Sequence, residues 1–252
     1  MGVVTGVLSG LLGVGGGFVL VPMMVYLLGM NQHRAHGTSL AVISMVVLSS
    51  AIFYSRHGHV DWLVAMEMMI GGVVGAAIGA KVCTLICARR LRRLFGILMI
   101  LVGLRMLYGA AWAYAAHPVV AGHVISPYHL WGGLMVVGIG FITGILSGIF
   151  GIGGGIVMIP AMVLLLGFAQ KTAQGISLAV IIPVSISGAL IHSRQGTVRW
   201  GTAVWLGVGG IPGGLIGARV ANLEVSDLAL RGMFGVLTLV VGILMARRGS
   251  SA

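Results

Sequence analysis

Acid is scarce in this chain. Four Asp and Glu stand against 15 Lys and Arg in 252 residues, and charges of both signs make up only 8% of it. In a typical soluble domain about a quarter of residues are charged, so a water-exposed surface is excluded. Polar stretches are scarce too: the longest is the connection around 114–128, too short to be a domain. Cysteine is limited to Cys83 and Cys87, four apart near the end of an apolar run. A disulfide at that spacing on one helix would be strained, and no further metal ligands lie close by in sequence. Both read as packing residues. The histidines at 57, 59, 117, 123 and 129 match no compact ligand spacing, so no metal or cofactor is expected.

What fills the chain instead is hydrocarbon, with 58% of residues hydrophobic. Apolar runs long enough to cross a bilayer core of about 30 Å recur along the whole length. Eight can be counted, at about 3–29, 36–55, 62–83, 91–113, 129–167, 174–193, 200–221 and 228–246. The first lacks a basic start and is too long for a signal core, so it reads as a span and not as a cleaved leader. Barrel strands would need short alternating segments, which leaves an all-α polytopic membrane protein with a multi-pass placement in the cell membrane. The bases cluster at the ends of spans. They read as topology signals and as attraction for anions, not as a nucleic-acid surface.

The chain is also written twice. "GLLGVGGGFVLVPM" at 10–23 returns as "GIFGIGGGIVMIPA" at 148–161, and from Thr5–Trp62 to Thr143–Trp200 a constant offset of 138 gives 32 identities in 58 positions. Each half, 1–113 and 129–252, is therefore a four-span unit joined by the connection 114–128. An even number of spans would carry both halves through the membrane in the same direction. One feature resists that count: 129–167 is about 39 residues, nearly 60 Å as straight helix, more than one crossing needs. A re-entrant turn at the glycines would overturn the parallel arrangement. With both termini outside, nine bases fall on cytoplasmic ends and five on outer ends, although Arg247 and Arg248 oppose that orientation.

The doubled G-x-G-G-G, followed by an apolar run with Pro22 or Pro160 and then by "TSLAV" or "ISLAV", resembles the sulfite exporter TauE/SafE family, also called the toluene sulfonate uptake permeases. The likeness covers essentially the whole chain. It implies a secondary transporter for sulfite, an organosulfonate or a similar small sulfur-containing anion, coupled to a proton or sodium gradient. Two features depart from the pattern. The first span looks short, and His33 and His36 in one half face Lys171 and Gln174 in the other.

Gly15, Gly16 and Gly17, with Gly153, Gly154 and Gly155, are the leading site candidates. Three consecutive glycines favour unwound backbone, and unwound backbone at membrane depth belongs in a cavity lining or inside packed protein. Their free N–H groups and the positive end of the helix that follows suit an anion. Single glycines such as Gly6, Gly10, Gly13, Gly71, Gly75 and Gly79 read instead as close helix packing. Ser49 and Ser187 are expected near the depth of the breaks, as anion donors or bonded to their own helix carbonyls. Glu67 and Arg105 lie inside consecutive spans and are expected to meet as an ion pair, or to leave Glu67 free to titrate. Arg56 and Arg194, at equivalent outer ends, either draw anions in or anchor the interface beside Trp62 and Trp200. Pro183 and Pro212 are expected to kink or hinge their spans. The rival classes are an intramembrane enzyme, with only His192 and Glu67 as candidates, and a non-transporting subunit or channel.

Overall fold

A computed structural model describes residues 1–115, 130–223 and 225–247. These form ten helices: α1 (Gly2–Leu12), α2 (Gly17–Leu27), α3 (Gln32–Arg56), α4 (Trp62–Cys83), α5 (Ala88–Ala115), α6 (Leu130–Phe150), α7 (Gly155–Leu165), α8 (Gln170–Arg194), α9 (Trp200–Leu223) and α10 (Asp227–Arg247). No strand occurs among the described residues, and six of the helices are long and apolar enough to cross a membrane. From residue 116, the connection expected at 114–128 lies outside the described residues, as do His117, His123 and His129.

Local signals set the boundaries. Asn31 caps α3 by accepting from Arg34 N–H at 2.9 Å, and the Asp61 carboxylate caps α4 through Leu63 N–H and Val64 N–H. Gly13 ends α1 with φ of 72°, while Gly16 and Gly154 start α2 and α7 with φ of 72° and 87°, in the left-handed region that favours glycine. Pro183 and Pro212 sit inside α8 and α9, which run on through them.

The direction of each helix follows from its neighbours. Take α3 as running upward. Gly207 of α9 lies against Met45 of α3 and Gly214 lies against Ser49 and Ser50, so α9 also ascends. Gly37 meets His192, Gly188 meets Leu40 and Gly175 meets His59, so α8 descends. Gly2, Gly6 and Gly10 of α1 follow Leu206, Gly210 and Gly214 of α9 in the same order, so α1 ascends; Gly140, Gly144 and Gly148 of α6 follow Met68, Gly72 and Ala76 of α4, so α6 descends. Corresponding helices of the two halves therefore run in opposite directions. The repeats are inverted, which corrects the parallel arrangement expected from an even span count.

The reason lies in the glycines. α1 rises until Gly13 packs against Gln174 near the start of α8, then the chain turns back so that Gly16 lies beside Thr5 and Ser9. α2 starts there, level with Ile43 at the middle of α3, and descends to the lower end of α3. The second half does the same upside down, with Gly154 beside Thr143 and Ser147. The break is thus a reversal, not a kink within one crossing. It also accounts for the long run 129–167: a 21-residue crossing helix, a four-residue turn and an 11-residue half-helix that goes back.

The halves interlock. The first helix of each packs along the fourth of the other, α1 on α9 and α6 on α4, with glycine facing backbone at every turn. Of the single glycines read as packing residues, Gly6, Gly10, Gly71, Gly75 and Gly79 are in these ladders, whereas Gly13 ends α1 in the left-handed region. Without side chains between them the backbones approach closely, as membrane helices do when small residues line their contact.

Candidate functional site

The two turns meet at the centre of the molecule. A methyl group added at Gly17 would lie 2.7 Å from the Gly151 carbonyl oxygen and 2.8 Å from Ile152 Cα; one added at Gly155 would lie 2.7 Å from Val14 Cα. α2 and α7 thus begin side by side at mid-depth, one pointing down and one up. Neither N-terminus has a side-chain cap. Two positive helix ends are therefore concentrated in one place, worth together about one elementary charge. Every residue from Gly13 to Phe18 and from Gly151 to Ile156 is buried, and the side chains of Ile43 and Ile181 cover the glycines.

Three hydroxyls touch this centre, and the repeat places a fourth with them. Ser9 and Ser147 lie against Gly16 and Gly154, and Ser177 Oγ would be 2.9 Å from a methyl at Gly155; Ser39 is its counterpart on α3. All four are fully buried and none has a hydrogen-bond partner. An unpaired hydroxyl inside a protein is costly, so four of them around two uncapped helix ends mark a place suited to a ligand that accepts hydrogen bonds. Sequence reasoning missed Ser9 and Ser147. The 138-residue offset was the available signal, since it pairs Ser9 with Ser147 and Ser39 with Ser177.

Above and below the centre, matched polar clasps close the ends of α1 and α6. At the upper end the Tyr54 hydroxyl donates to Gln174 Oε1 at 2.9 Å and to the Gly10 carbonyl at 3.2 Å, and Gln174 Nε2 donates to the Leu11 carbonyl. At the lower end His192 Nε2 donates to the Gly148 carbonyl at 3.0 Å and His36 Nδ1 donates to the Phe150 carbonyl. Tyr54 corresponds to His192 and Gln174 to His36 across the repeat, so the clasps are related by the inversion but built from different chemistry.

The remaining candidates lie elsewhere. Ser49 donates to the Val46 and Ile211 carbonyls and Ser187 to the Val73 carbonyl, so both hydroxyls are engaged at the α3–α9 and α4–α8 contacts and not at the breaks. Glu67 and Arg105 do not form the expected ion pair: the Glu67 carboxylate lies against Gly133 of α6 with its Oε2 unpartnered, while Arg105 is exposed on α5. Arg56 and Arg194 end antiparallel helices, which puts them on opposite faces of the membrane. Both are exposed, and Arg56 stands beside Trp62 on a largely apolar groove of about 410 Å³ that also touches Leu48, Met69 and Pro183. His192 and Glu67, the pair an intramembrane enzyme would need, sit toward opposite ends.

Outside the spans, Cys87 is exposed in the turn between α4 and α5. Backbone N–H groups of Arg89 and Arg90, at the start of α5, hold its thiol below the ordinary cysteine range.

Comparison with known proteins points to a family of membrane transporters. Residues 1–106 and 136–252 match the family described as "Sulfite exporter TauE/SafE". The chain is 34% identical over 251 residues to a "Probable membrane transporter protein" of Xylella fastidiosa, covering 98% of this chain and 93% of the relative. It is 32% identical over 267 residues to the "Probable membrane transporter protein YunE" of Bacillus subtilis, covering 99% and 96%. It is 29% identical over 271 residues to the "Probable membrane transporter protein MJ0441" of Methanocaldococcus jannaschii, covering 97% and 92%. No solved structure matches.

Proposed function

The chain belongs to the sulfite exporter TauE/SafE family of membrane transporters, and from that premise we propose that it carries a small oxyanion, sulfite or an organosulfonate, by alternating access around the central pair of glycine turns. The observation that carries this reading is the meeting of two uncapped helix N-termini with four buried, unpartnered serine hydroxyls. Backbone N–H groups of Gly15–Gly17 and Gly153–Gly155 supply charge stabilisation, and Ser9, Ser39, Ser147 and Ser177 supply donors. No lysine or arginine is needed, so an anion can be released as readily as it is bound.

The inverted repeats support the mechanism. Each half can take either of two arrangements, and exchanging them turns an outward-open form into its inward-open counterpart. The conformation here is closed at both clasps. Ile43 and Ile181 move aside when one opens.

The inversion also bears on orientation. Arg34, Lys81, Arg89, Arg90, Arg92, Arg93, Arg194, Arg199 and Arg247 are at lower helix ends; Arg56, Lys171, Arg219 and Arg231 are at upper ones. Over the same described bases the parallel reading also gives nine against four, so the bias is equal in size, and Arg247 now falls on the majority side. We infer that the lower face, with the histidine clasp, is cytoplasmic.

Removing the Ser39 and Ser177 hydroxyls tests the site. Neither has a partner in the closed form, so Ser39→Ala with Ser177→Ala leaves stability unchanged or slightly raised. A hydrogen bond to a charged ligand is worth about 1.5–3 kcal/mol, so sulfite or toluenesulfonate should bind at least tenfold more weakly. Isothermal titration of the purified protein reads both. Wild-type affinity in the double variant would show the anion is held elsewhere.

A further inference from the structure

The two clasps do the same mechanical work with different chemistry. At the upper one, phenol and amide keep one protonation state across the physiological range. At the lower one, both side chains are imidazoles, and the residue pairs are interchanged by the repeat operation. The difference is therefore confined to one end of the pathway.

The hydrogen bonds of the lower clasp leave one imidazole nitrogen open in its closed form. His192 has both nitrogens engaged: Nε2–H donates to the Gly148 carbonyl, and Nδ1 lies 2.9 Å from the Thr197 hydroxyl, which also reaches the His192 carbonyl at 2.9 Å. His36 donates from Nδ1 to the Phe150 carbonyl, and its Nε2 is fully buried with no partner. That bare lone pair is the vacancy for one proton. A proton added there in the closed form would create an N–H with no acceptor and a buried cation with no counter-ion. The titratable groups that bear on it are His192 of α8 and the half-buried His33 of α3, whose Nδ1 lies 3.7 Å from Cys83 Sγ of α4; α5 presents the Phe95 ring and α6 its terminal carbonyls. Among the described acids, Asp61, Glu67 and Asp227 all lie toward the opposite face. The closed clasp therefore holds His36 neutral, and a proton at Nε2 is accommodated only once α3 and α8 release the end of α6 and water reaches the ring.

We propose that His36 and His192 form a proton-operated latch, shut while His36 is neutral and opened toward the cytoplasm by proton uptake at His36 Nε2. The coupling that follows, proton uptake tied to exposure of the anion site, rests on the transport reading above; the latch does not. Tyr54 and Gln174 give the opposite end no such control, so the linked ion is a proton and it acts on one face only.

The repeat supplies the test. His36→Gln with His192→Tyr rebuilds at the lower end the pair already present at the upper, so the variant keeps a clasp and loses the titrating groups; His36→Gln alone is the second variant. Hydrogen–deuterium exchange of the purified full chain is followed across residues 148–156 between pH 5.5 and 7.5, corrected for the intrinsic pH dependence of exchange. One linked proton changes the opening equilibrium by up to about tenfold per pH unit. In the wild type, protection falls as the pH is lowered, and in both variants it is independent of pH. The same pH dependence in wild type and variants overturns the latch. In liposomes, an imposed pH gradient should drive toluenesulfonate or sulfite accumulation by the wild type and not by the double variant, which retains downhill exchange. Gradient-driven accumulation by the double variant also overturns the proposal. No flux in either protein, with the exchange difference intact, removes the transport reading and leaves the latch.

Discussion

Two glycines on one helix should respond in opposite directions to the same substitution. An added methyl group at Gly138 of α6 meets nothing within 4 Å, whereas at Gly144 it collides with the Gly72 carbonyl and lies 2.8 Å from Gly72 Cα. Alanine in place of glycine inside a helix gains about 1 kcal/mol from backbone entropy, and that gain is common to both sites. At Gly144 the obstacle is backbone, which cannot swing aside as a side chain would, so α6 and α4 must separate. Overpacking of this kind costs about 1–3 kcal/mol. Gly138→Ala should therefore stabilise by about 1 kcal/mol. Gly144→Ala should fall below it by the whole clash, about 1–3 kcal/mol, because the helix term cancels in the comparison. At roughly 2–4 °C per kcal/mol for a chain near this size, the two melting temperatures should differ by about 2–12 °C. Size-exclusion chromatography of detergent-solubilised protein after graded heating measures this directly. If Gly144→Ala melts at or above Gly138→Ala, the close approach of α4 and α6 is wrong, and with it the parallel pairing from which the inversion was read.

Two further outcomes concern orientation and the upper clasp. Cys87 is exposed at a lower turn with its thiol held below the ordinary range by the Arg89 and Arg90 N–H groups, so more of it is thiolate at neutral pH than in a free cysteine. A membrane-impermeant maleimide should label it in inverted vesicles and not in intact cells, and the rate should reach half its maximum at a lower pH than for free cysteine; labelling in intact cells refutes the inferred orientation. Tyr54→Phe removes the donor to Gln174 Oε1 and Gly10, which costs the closed upper end about 1–3 kcal/mol. In a Ser9→Cys background that change should speed labelling from outside, and an unchanged rate would mean Tyr54 does not hold that end shut.

The sequence made the helical membrane class, the duplication and the mid-depth glycine breaks legible, because each is written in composition, in a constant offset or in backbone preference. Direction was not. A hydropathy run records that a segment is apolar, and a crossing helix followed by a returning half-helix is as apolar as one long span. The excess length of 129–167 was the sole physical trace of the reversal, and in the first half the corresponding excess is absent because α1 has only 11 residues to the 21 of α6. The partners of Ser49, Ser187 and Glu67 were equally hidden, since each depends on which helix of the opposite half lies alongside.

Once the reversal is known, features that looked unrelated become consequences of it. Inversion requires an odd number of legs per half, and the glycine turn supplies the fifth. It carries the N-termini of α2 and α7 to one point from opposite sides, which two kinked crossings in a parallel duplication would not do. It brings Arg247 to the basic face and parts Arg56 from Arg194. It also converts the unequal pairs His36–Gln174 and Tyr54–His192 from scattered differences between copies into a difference between the two faces of the membrane. A transporter working between unlike compartments needs such a difference. In a chain with 32 of 58 aligned positions identical between its halves, a change to imidazole at the two clasp positions is enough to make one end answer to protons.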